Sequence, residues 1–158
     1  MSPNLKAFLD MIAHSELGDA LIAASDNGYN VIVGSTARNP RLFASYADHP
    51  RELVTMVIRG KILKSTAAGR YQILSRYFAA YKQRLGLKDF GPDAQDAIAI
   101  QMIRECKALP DIEAGRFAQA VEKCRSRWAS LPGAGYDQHE NKLNDLQAAF
   151  TKAGGKLA

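Results

Sequence analysis

Glu16 is the carboxylate whose position in this sequence most favours acid–base chemistry. It follows Ile12-Ala13-His14-Ser15, where the apolar face of a predicted first helix ends, and it precedes a predicted chain reversal at Gly18. The helix dipole disfavours an anion near a helix C-terminus, and partial burial disfavours the ionised form further. Both effects favour a carboxyl that stays protonated near neutral pH, as a general acid requires. On position alone, a solvated glutamate at a fraying helix end explains the residue better.

Residues 64–72 have the composition of a sugar-binding loop. Residues 67–69 are Ala-Ala-Gly and present almost no side chain, so a bulky ligand can approach the backbone closely. Ser65, Tyr71 and Gln72 supply hydroxyl and amide groups that both donate and accept hydrogen bonds, which suits a sugar bearing hydroxyl and acetamido groups. A tight loop with a helix cap explains the segment equally well.

Residues 128–138 form a glycine-rich stretch that ends near Tyr136. Loops of this kind on a rigid scaffold often carry function, and this one could form a movable lip over a groove. The alternative is a simple connector in which Trp128 belongs to the core.

Metal and nucleotide chemistry have no support in the sequence. His14, His49 and His139 are dispersed, and no His or Cys pair has the spacing of a zinc site. Walker-type glycine loops, dinucleotide fingerprints and GxSxG elbows are also missing. We therefore expect neither a metal nor another cofactor. Cys106 and Cys124 are interpreted as buried thiols rather than as a disulfide framework.

The charge of the chain indicates an acidic partner without selecting one. Lys and Arg number 21 against 16 Asp and Glu, which gives a net charge of +5. The basic residues are spread along the chain, which is typical of a solvated surface, so we predict no nucleic-acid binding. The sequence has no uncharged apolar run long enough to predict a membrane span, and no apolar signal core follows Met1. We therefore expect synthesis in the cytoplasm and no stable membrane insertion.

The elements that must position these residues form an α+β pattern. A chain of 158 residues suits one domain, residues 1–158. Ser2 and Pro3 predict the start of the first helix, and short antiparallel strands are predicted at residues 29–33, 42–46 and 53–58. Helical spacing then predicts helices marked by residues 73–81, by residues 92–109, by residues 116–127 and by residues 143–150. The prediction is a mostly helical body with a small β subdomain at about residues 28–66.

Taken in order, these features resemble the bacteriophage lambda lysozyme family of endolysins. Each segment alone is weak evidence for the resemblance, but the segments occur in the same order and together cover most of the chain. The matching segments are Ala7-Phe8-Leu9-Asp10-Met11 with Ser15-Glu16, Gly28-Tyr29-Asn30-Val31-Ile32-Val33-Gly34, Tyr46 with Asp48-His49-Pro50-Arg51, residues 64–72, Leu85-Gly86-Leu87-Lys88-Asp89-Phe90, and residues 128–136.

The resemblance implies a lysozyme-like fold with a glycan-binding cleft between two lobes. It also implies a lytic transglycosylase that cleaves the β-1,4 bond between N-acetylmuramic acid and N-acetylglucosamine in peptidoglycan and leaves a 1,6-anhydromuramic end. Glu16 matches the essential acid of the family. The residues implied to contact the glycan are Asn30, Tyr46, Ser65, Thr66, Gly69, Tyr71, Gln72 and Tyr136. Such an endolysin, expected to be a monomer, would wait in the host cytoplasm until a holin opens the inner membrane.

Asn30 departs from the family pattern, in which an aspartate is expected after the tyrosine that matches Tyr29. A hydrolase generally needs two carboxylates, whereas a transglycosylase can use one as acid and then as base. Two alternatives therefore remain. One is a muramidase in which Asp26 or Asp48 holds a water molecule. The other is a wall-binding protein that has lost catalysis, with Asn30 as the trace of that loss.

Overall fold

The computed structural model describes residues 1–135 and 139–158 and has the predicted α+β composition. The described residues form helices and a two-stranded antiparallel hairpin. Among the described residues, no helix is both long enough and apolar enough to span a bilayer. The elements are α1 Pro3–Leu17, α2 Asp19–Ala23, β1 Val54–Ile58, β2 Lys61–Ser65, α3 Ser75–Leu85, α4 Pro92–Glu105, α5 Leu109–Glu113, α6 Phe117–Cys124 and α7 Leu143–Lys152.

Helix α1 begins where the sequence predicts. The Leu5 amide donates to Ser2 Oγ at 3.1 Å, and Pro3 stands at the first helical position, where its missing N–H has no partner to lose. Phe8, Met11 and Ile12 are fully buried, so packing of this apolar face stabilises the helix through to its last turn. That last turn carries Glu16.

The chain divides into two compact units, one of which comprises Met1–Glu16 with Ala99–Ala158. Its core contains the Phe117 ring between those of Phe8 and Phe150, at centroid distances of 6.2 and 5.0 Å. Trp128 is also buried, in agreement with the alternative that assigned it to the core. In the same unit Cys124 is buried and Cys106 is half-buried, and both are free thiols.

The other unit, Leu17–Ile98, contains the hairpin. Strand β1 confirms the strand predicted at residues 53–58, and β2 was missed. Arg59 and Gly60 connect the strands with φ of 51° and 75°, which is the geometry of a type I′ turn. An Arg-Gly pair is a weaker turn signal than Asn-Gly, and Lys61 and Lys64 interrupt the apolar pattern of the second strand.

The strands predicted at residues 29–33 and 42–46 are wrong. Only isolated bridges occur there, one between Val31 and Leu42 and one between Ile32 and Ala68. The Tyr29 amide bonds back to Asp26 and the Val31 amide back to Gly28, so consecutive turns take the place of a ladder. Val31 and Ile32 are apolar because they are buried and not because they pair along a sheet.

The helical predictions hold better, with errors at the ends. Ile73 and Leu74 precede α3, and Ile73 pairs with Ala68 instead. Helix α5 was missed, since Pro110 looks like a helix terminator but occupies the start of a new helix. Helix α6 ends at Cys124, shorter than predicted.

His49 is a structural residue whose neutral form the fold requires. It is 3% exposed between the rings of Phe78 and Phe90. Its Nδ1 accepts from the Arg51 amide at 2.9 Å, so its Nε2 carries the proton and donates to the Ile73 carbonyl at 2.8 Å. Burial lowers the pKa of His49.

This arrangement predicts that folding stability falls as the pH drops below the normal His range. The unfolded state binds a proton near pH 6.5 that the folded state binds only at lower pH, so the stabilisation is complete above that value and is lost below it. Urea unfolding between pH 8 and pH 5 measures the loss. His49→Gln, which does not titrate, should remove that part of the pH dependence. An unchanged pH dependence in His49→Gln would contradict this assignment.

Candidate active site

Glu16 lies at the end of α1 with its side chain partly buried. Burial raises the pKa of the carboxyl to about 7, and a hydrogen bond with the Ser130 side chain acts in the opposite direction. Of the two causes predicted from the sequence, the helix dipole and burial, burial is the one that dominates. A carboxyl with this pKa is available in both protonation states near neutral pH, so it can give a proton and take one back.

The hydroxyls of Ser65 and Thr66 organise the backbone around them. Ser65 Oγ accepts from the Ala67 amide at 3.1 Å, and Thr66 Oγ1 accepts from the Ser75 amide at 3.0 Å. The second contact satisfies an N–H group at the first turn of α3 that has no partner within the helix. The helix cap considered in the sequence analysis therefore exists and comes from Thr66.

Gln95 on α4 fixes the shape of this loop, a role that was not predicted from the sequence. The side chain is fully buried, and its Oε1 accepts from the Arg70 amide at 2.9 Å. Its Nε2 donates to the carbonyls of Tyr29 and Phe90 at 3.0 and 2.8 Å. Gly69, with φ of 83°, passes so close that an added Cβ would lie 2.2 Å from Gln95 Oε1. The one sequence signal for the role of Gln95 is that a polar residue stands among the apolar positions of a helix.

Tyr71 belongs to the interior of its unit. It is 2% exposed, and its hydroxyl donates to Asp96 Oδ1 at 2.6 Å. The Tyr29 hydroxyl donates to the same oxygen at 2.9 Å. Burial raises the pKa of both phenols, that of Tyr29 to about 12, so both remain protonated donors. Direct contact between Tyr71 and a sugar stays a prediction, and Asp96 is a second residue that the sequence did not reveal.

Asn30 and Tyr46 both contact Asp26. Asn30 Oδ1 accepts from the Asp26 amide at 2.9 Å and closes a local turn, while the Tyr46 hydroxyl donates to the Asp26 carboxylate. An asparagine oxygen makes this turn contact as an aspartate oxygen would. Asn30 therefore has a local structural role, whatever its role toward substrate.

Gln72 closes the sugar-binding loop on itself, since its Nε2 donates to the Gly69 carbonyl at 2.9 Å. Asn30, Tyr46 and the loop residues at 65–72 thus lie in the same unit, Leu17–Ile98. Their contact with a glycan stays a prediction.

In the unit Met1–Glu16 with Ala99–Ala158, Glu140 binds two backbone amides of the glycine-rich stretch. The amides of Gly133 and Gly135 donate to the two carboxylate oxygens of Glu140 at 2.9 and 3.0 Å. Tyr136, the predicted substrate contact at the end of this loop, lies outside the described residues. Within residues 1–135 and 139–158, no group of three His, Cys, Asp or Glu side chains could hold a metal ion.

Comparison with known proteins decides the family. The sequence model of the Endolysin family matches residues 6–157. The chain belongs to the endolysin family. Among the curated endolysins, that of Escherichia phage lambda is 53% identical over 153 residues, 96% of this chain and 92% of the relative. The endolysin of Escherichia phage P2 is 46% identical over 156 residues, 96% of this chain and 93% of the relative.

Solved structures within the endolysin family agree with the fold. Bacteriophage lambda lysozyme complexed with a chitohexasaccharide has a TM-score of 0.89 and 49% identity, covering all of this chain and 98% of that one. A second structure of lysozyme from bacteriophage lambda has a TM-score of 0.85 and 50% identity, with the same coverage. The predicted family and the lysozyme-like α+β fold are therefore confirmed.

Proposed function

We propose that this endolysin degrades bacterial peptidoglycan as a lytic transglycosylase with Glu16 as its acid and base. The observation that carries the proposal is a partly buried glutamate whose pKa is raised to about 7 by burial. The names of the lambda and P2 relatives support lysis of a phage host, and the hexasaccharide bound to lambda lysozyme supports a glycan substrate.

The chemistry needs one carboxyl in two successive roles. Glu16 first protonates the glycosidic oxygen as the bond from C1 of N-acetylmuramic acid to that oxygen breaks. The resulting carboxylate then accepts the proton of the C6 hydroxyl of the same sugar, as its oxygen forms a bond to C1. No water is consumed, because the nucleophile belongs to the substrate, and its proximity replaces a bound water.

A hydrolytic muramidase on the same bond is the second candidate, and it would need a further carboxylate to hold water. Asp26 and Asp48 are the residues considered for that role. Asp26 accepts from the Tyr46 hydroxyl, and Asp48 pairs with Arg51 at 3.3 Å, so both carboxylates already have local partners. The Arg51 contact lowers the pKa of Asp48. Because both carboxylates already make these contacts, the transglycosylase is favoured over the muramidase.

The same proposal covers partners and place of action. The protein would act as a monomer on glycan strands, bind no nucleic acid, and depend on a holin for release from the host cytoplasm to the wall. A net charge of +5 suits the anionic peptide stems of peptidoglycan.

The masses of the muropeptides distinguish the two reactions. Digestion of purified peptidoglycan should yield fragments ending in 1,6-anhydromuramic acid, each lighter by one water than the reducing-end product of hydrolysis. A fragment pool with reducing ends would establish the muramidase instead. Hydrolysis of the same sample with a known muramidase provides the reference masses.

The rate of lysis should begin to fall near pH 7 on the alkaline side of its pH profile. The first step requires protonated Glu16, and the pKa raised by burial to about 7 sets where that form disappears. We measure lysis as the loss of turbidity of cells whose outer membrane has been permeabilised. Its rate should therefore decline about tenfold for each pH unit above about pH 7. A rate that stays constant from pH 6 to pH 9 would contradict an acid role for Glu16.

A further inference from the structure

One face of the β1–β2 hairpin presents large apolar side chains to solvent. Val57 and Ile62 occupy paired positions of the two strands and are 71% and 70% exposed. Paired residues of antiparallel strands place their side chains on the same face, so these two lie side by side. Leu53 falls on that face by the alternation of an extended chain and is 60% exposed. We call the face that carries Leu53, Val57 and Ile62 the outer face.

The inner face of the same hairpin is already covered. Val54 is buried, and Met56, Ile58 and Leu63 are half-buried. A Cβ added at Gly34 would lie 3.6 Å from Val54 Cγ1 and 3.5 Å from Met56 Sδ, so the backbone at Gly34 packs against this face. The hairpin is therefore held by its inner face, and the exposure of the outer face is a surface feature of a packed element. Aliphatic side chains placed together in water favour contact with an apolar partner.

The charge around the hairpin selects the kind of partner. Basic residues are spread along the chain, but the acidic ones are not: residues 53–88 contain eight Lys and Arg and no Asp or Glu. Arg59, Lys61 and Lys64 belong to the hairpin and are exposed. Lys64 shares the outer face, because it pairs with Thr55, two residues before Val57. A surface with one sign of charge attracts an anionic partner and opposes the docking of a second copy of itself.

We propose that the outer face of this hairpin binds the surface of a bilayer that contains anionic phospholipid. Val57 and Ile62 enter the boundary between headgroups and acyl chains, while Arg59 and Lys64 keep their charges beside the lipid phosphates. Peptidoglycan offers anionic groups but little hydrocarbon, whereas an anionic bilayer offers both and so matches this face better. The contact is peripheral and does not depend on the role of Glu16.

Cosedimentation with lipid vesicles tests the proposal. The parent should bind vesicles of phosphatidylethanolamine with about one quarter phosphatidylglycerol, and bind neutral phosphatidylcholine vesicles far more weakly. The double variant Val57→Thr/Ile62→Thr keeps two β-branched side chains, and it should lower the partition constant by about tenfold or more. Lys61→Gln/Lys64→Gln should lower it by about fivefold for each cation removed at low salt, and high salt should weaken the parent in the same way.

Matched controls come from the unit Met1–Glu16 with Ala99–Ala158. Leu157→Thr alters an apolar side chain that is 43% exposed, and Lys152→Gln removes an exposed cation of α7, so both should bind vesicles as the parent does. Urea unfolding establishes which variants fold, and if the threonine variant does not, the lysine variant and the salt dependence decide.

Three results would overturn the proposal. The first is a parent that does not bind the anionic vesicles, or that binds neutral vesicles equally well. The second is parent-level binding by both folded double variants. The third is a loss of retention on insoluble peptidoglycan in these variants with no loss on vesicles, which would assign the outer face to the wall. Because lysis is not the readout, each of these results leaves the proposed function of Glu16 untouched.

Discussion

Glu16→Gln is expected to reduce lytic activity by about a thousandfold or more while leaving the fold intact. The amide has nearly the shape of the acid, but it cannot give a proton to the leaving oxygen. Turbidity loss of permeabilised cells and release of soluble muropeptides both measure the effect.

The same variant should be more stable than the parent at alkaline pH. The pKa of Glu16 is raised from 4.5 to about 7, so the folded state binds a proton between these values that the unfolded state has lost. Stability of the parent therefore falls as the pH rises through this window, and it levels off above pH 7. Glu16→Gln should be more stable by about 3 kcal/mol at pH 8, and by almost nothing at pH 4.

Binding of Glu16→Gln to peptidoglycan separates catalysis from attachment to the wall. The variant should pellet with insoluble peptidoglycan as the parent does, since the predicted glycan contacts are unchanged. If the parent also fails to lyse cells yet pellets with the wall, the chain is a wall-binding protein and Asn30 becomes the residue to replace first. A variant that lyses cells at the parent rate would remove Glu16 from the mechanism.

Gly69→Ala is expected to destabilise the protein by about 3–5 kcal/mol. Its φ of 83° disfavours any side chain, and the new Cβ would lie 2.2 Å from Gln95 Oε1. Gln95 cannot move without breaking its buried bonds to the Arg70 amide and to the Tyr29 and Phe90 carbonyls. Urea unfolding monitored through the intrinsic fluorescence of Trp128 gives the free energy directly.

Gly60→Ala is the matched control for this prediction. Gly60 has a similar φ of 75°, and nothing lies within 4 Å of an added Cβ. It should therefore show only the conformational cost, about 1–2 kcal/mol. Equal losses in the two variants would mean that contact with Gln95 contributes nothing, and the conclusion that Gln95 fixes the shape of the loop would be wrong.

The predictable part of the fold is the part that local signals determine. Ser2 and Pro3 define the start of α1, and helical spacing of apolar residues locates most of α4 and α7. The apolar run at residues 29–33 is misleading, because burial by non-local packing produces the same composition as a strand. The second strand of the hairpin has no such run and was missed.

The candidate site shows a similar division. Glu16 could be proposed because its chemistry depends on one residue and on its place at a helix end. Gln95 and Asp96 could not, because each acts through partners distant in sequence, such as Arg70 for Gln95 and Tyr71 for Asp96. A buried amide has no local signature, and its importance appears only when its hydrogen-bond partners are known.

The titration of the Glu16 carboxyl tests the central claim most directly. Protein labelled with ¹³C at the glutamate side-chain carboxyl, compared with labelled Glu16→Gln, assigns the resonance by its disappearance. The chemical shift of Glu16 followed from pH 3 to pH 9 should show a midpoint near 7, as burial of the side chain requires. A midpoint near 4.5, the ordinary value for glutamate, would contradict the account.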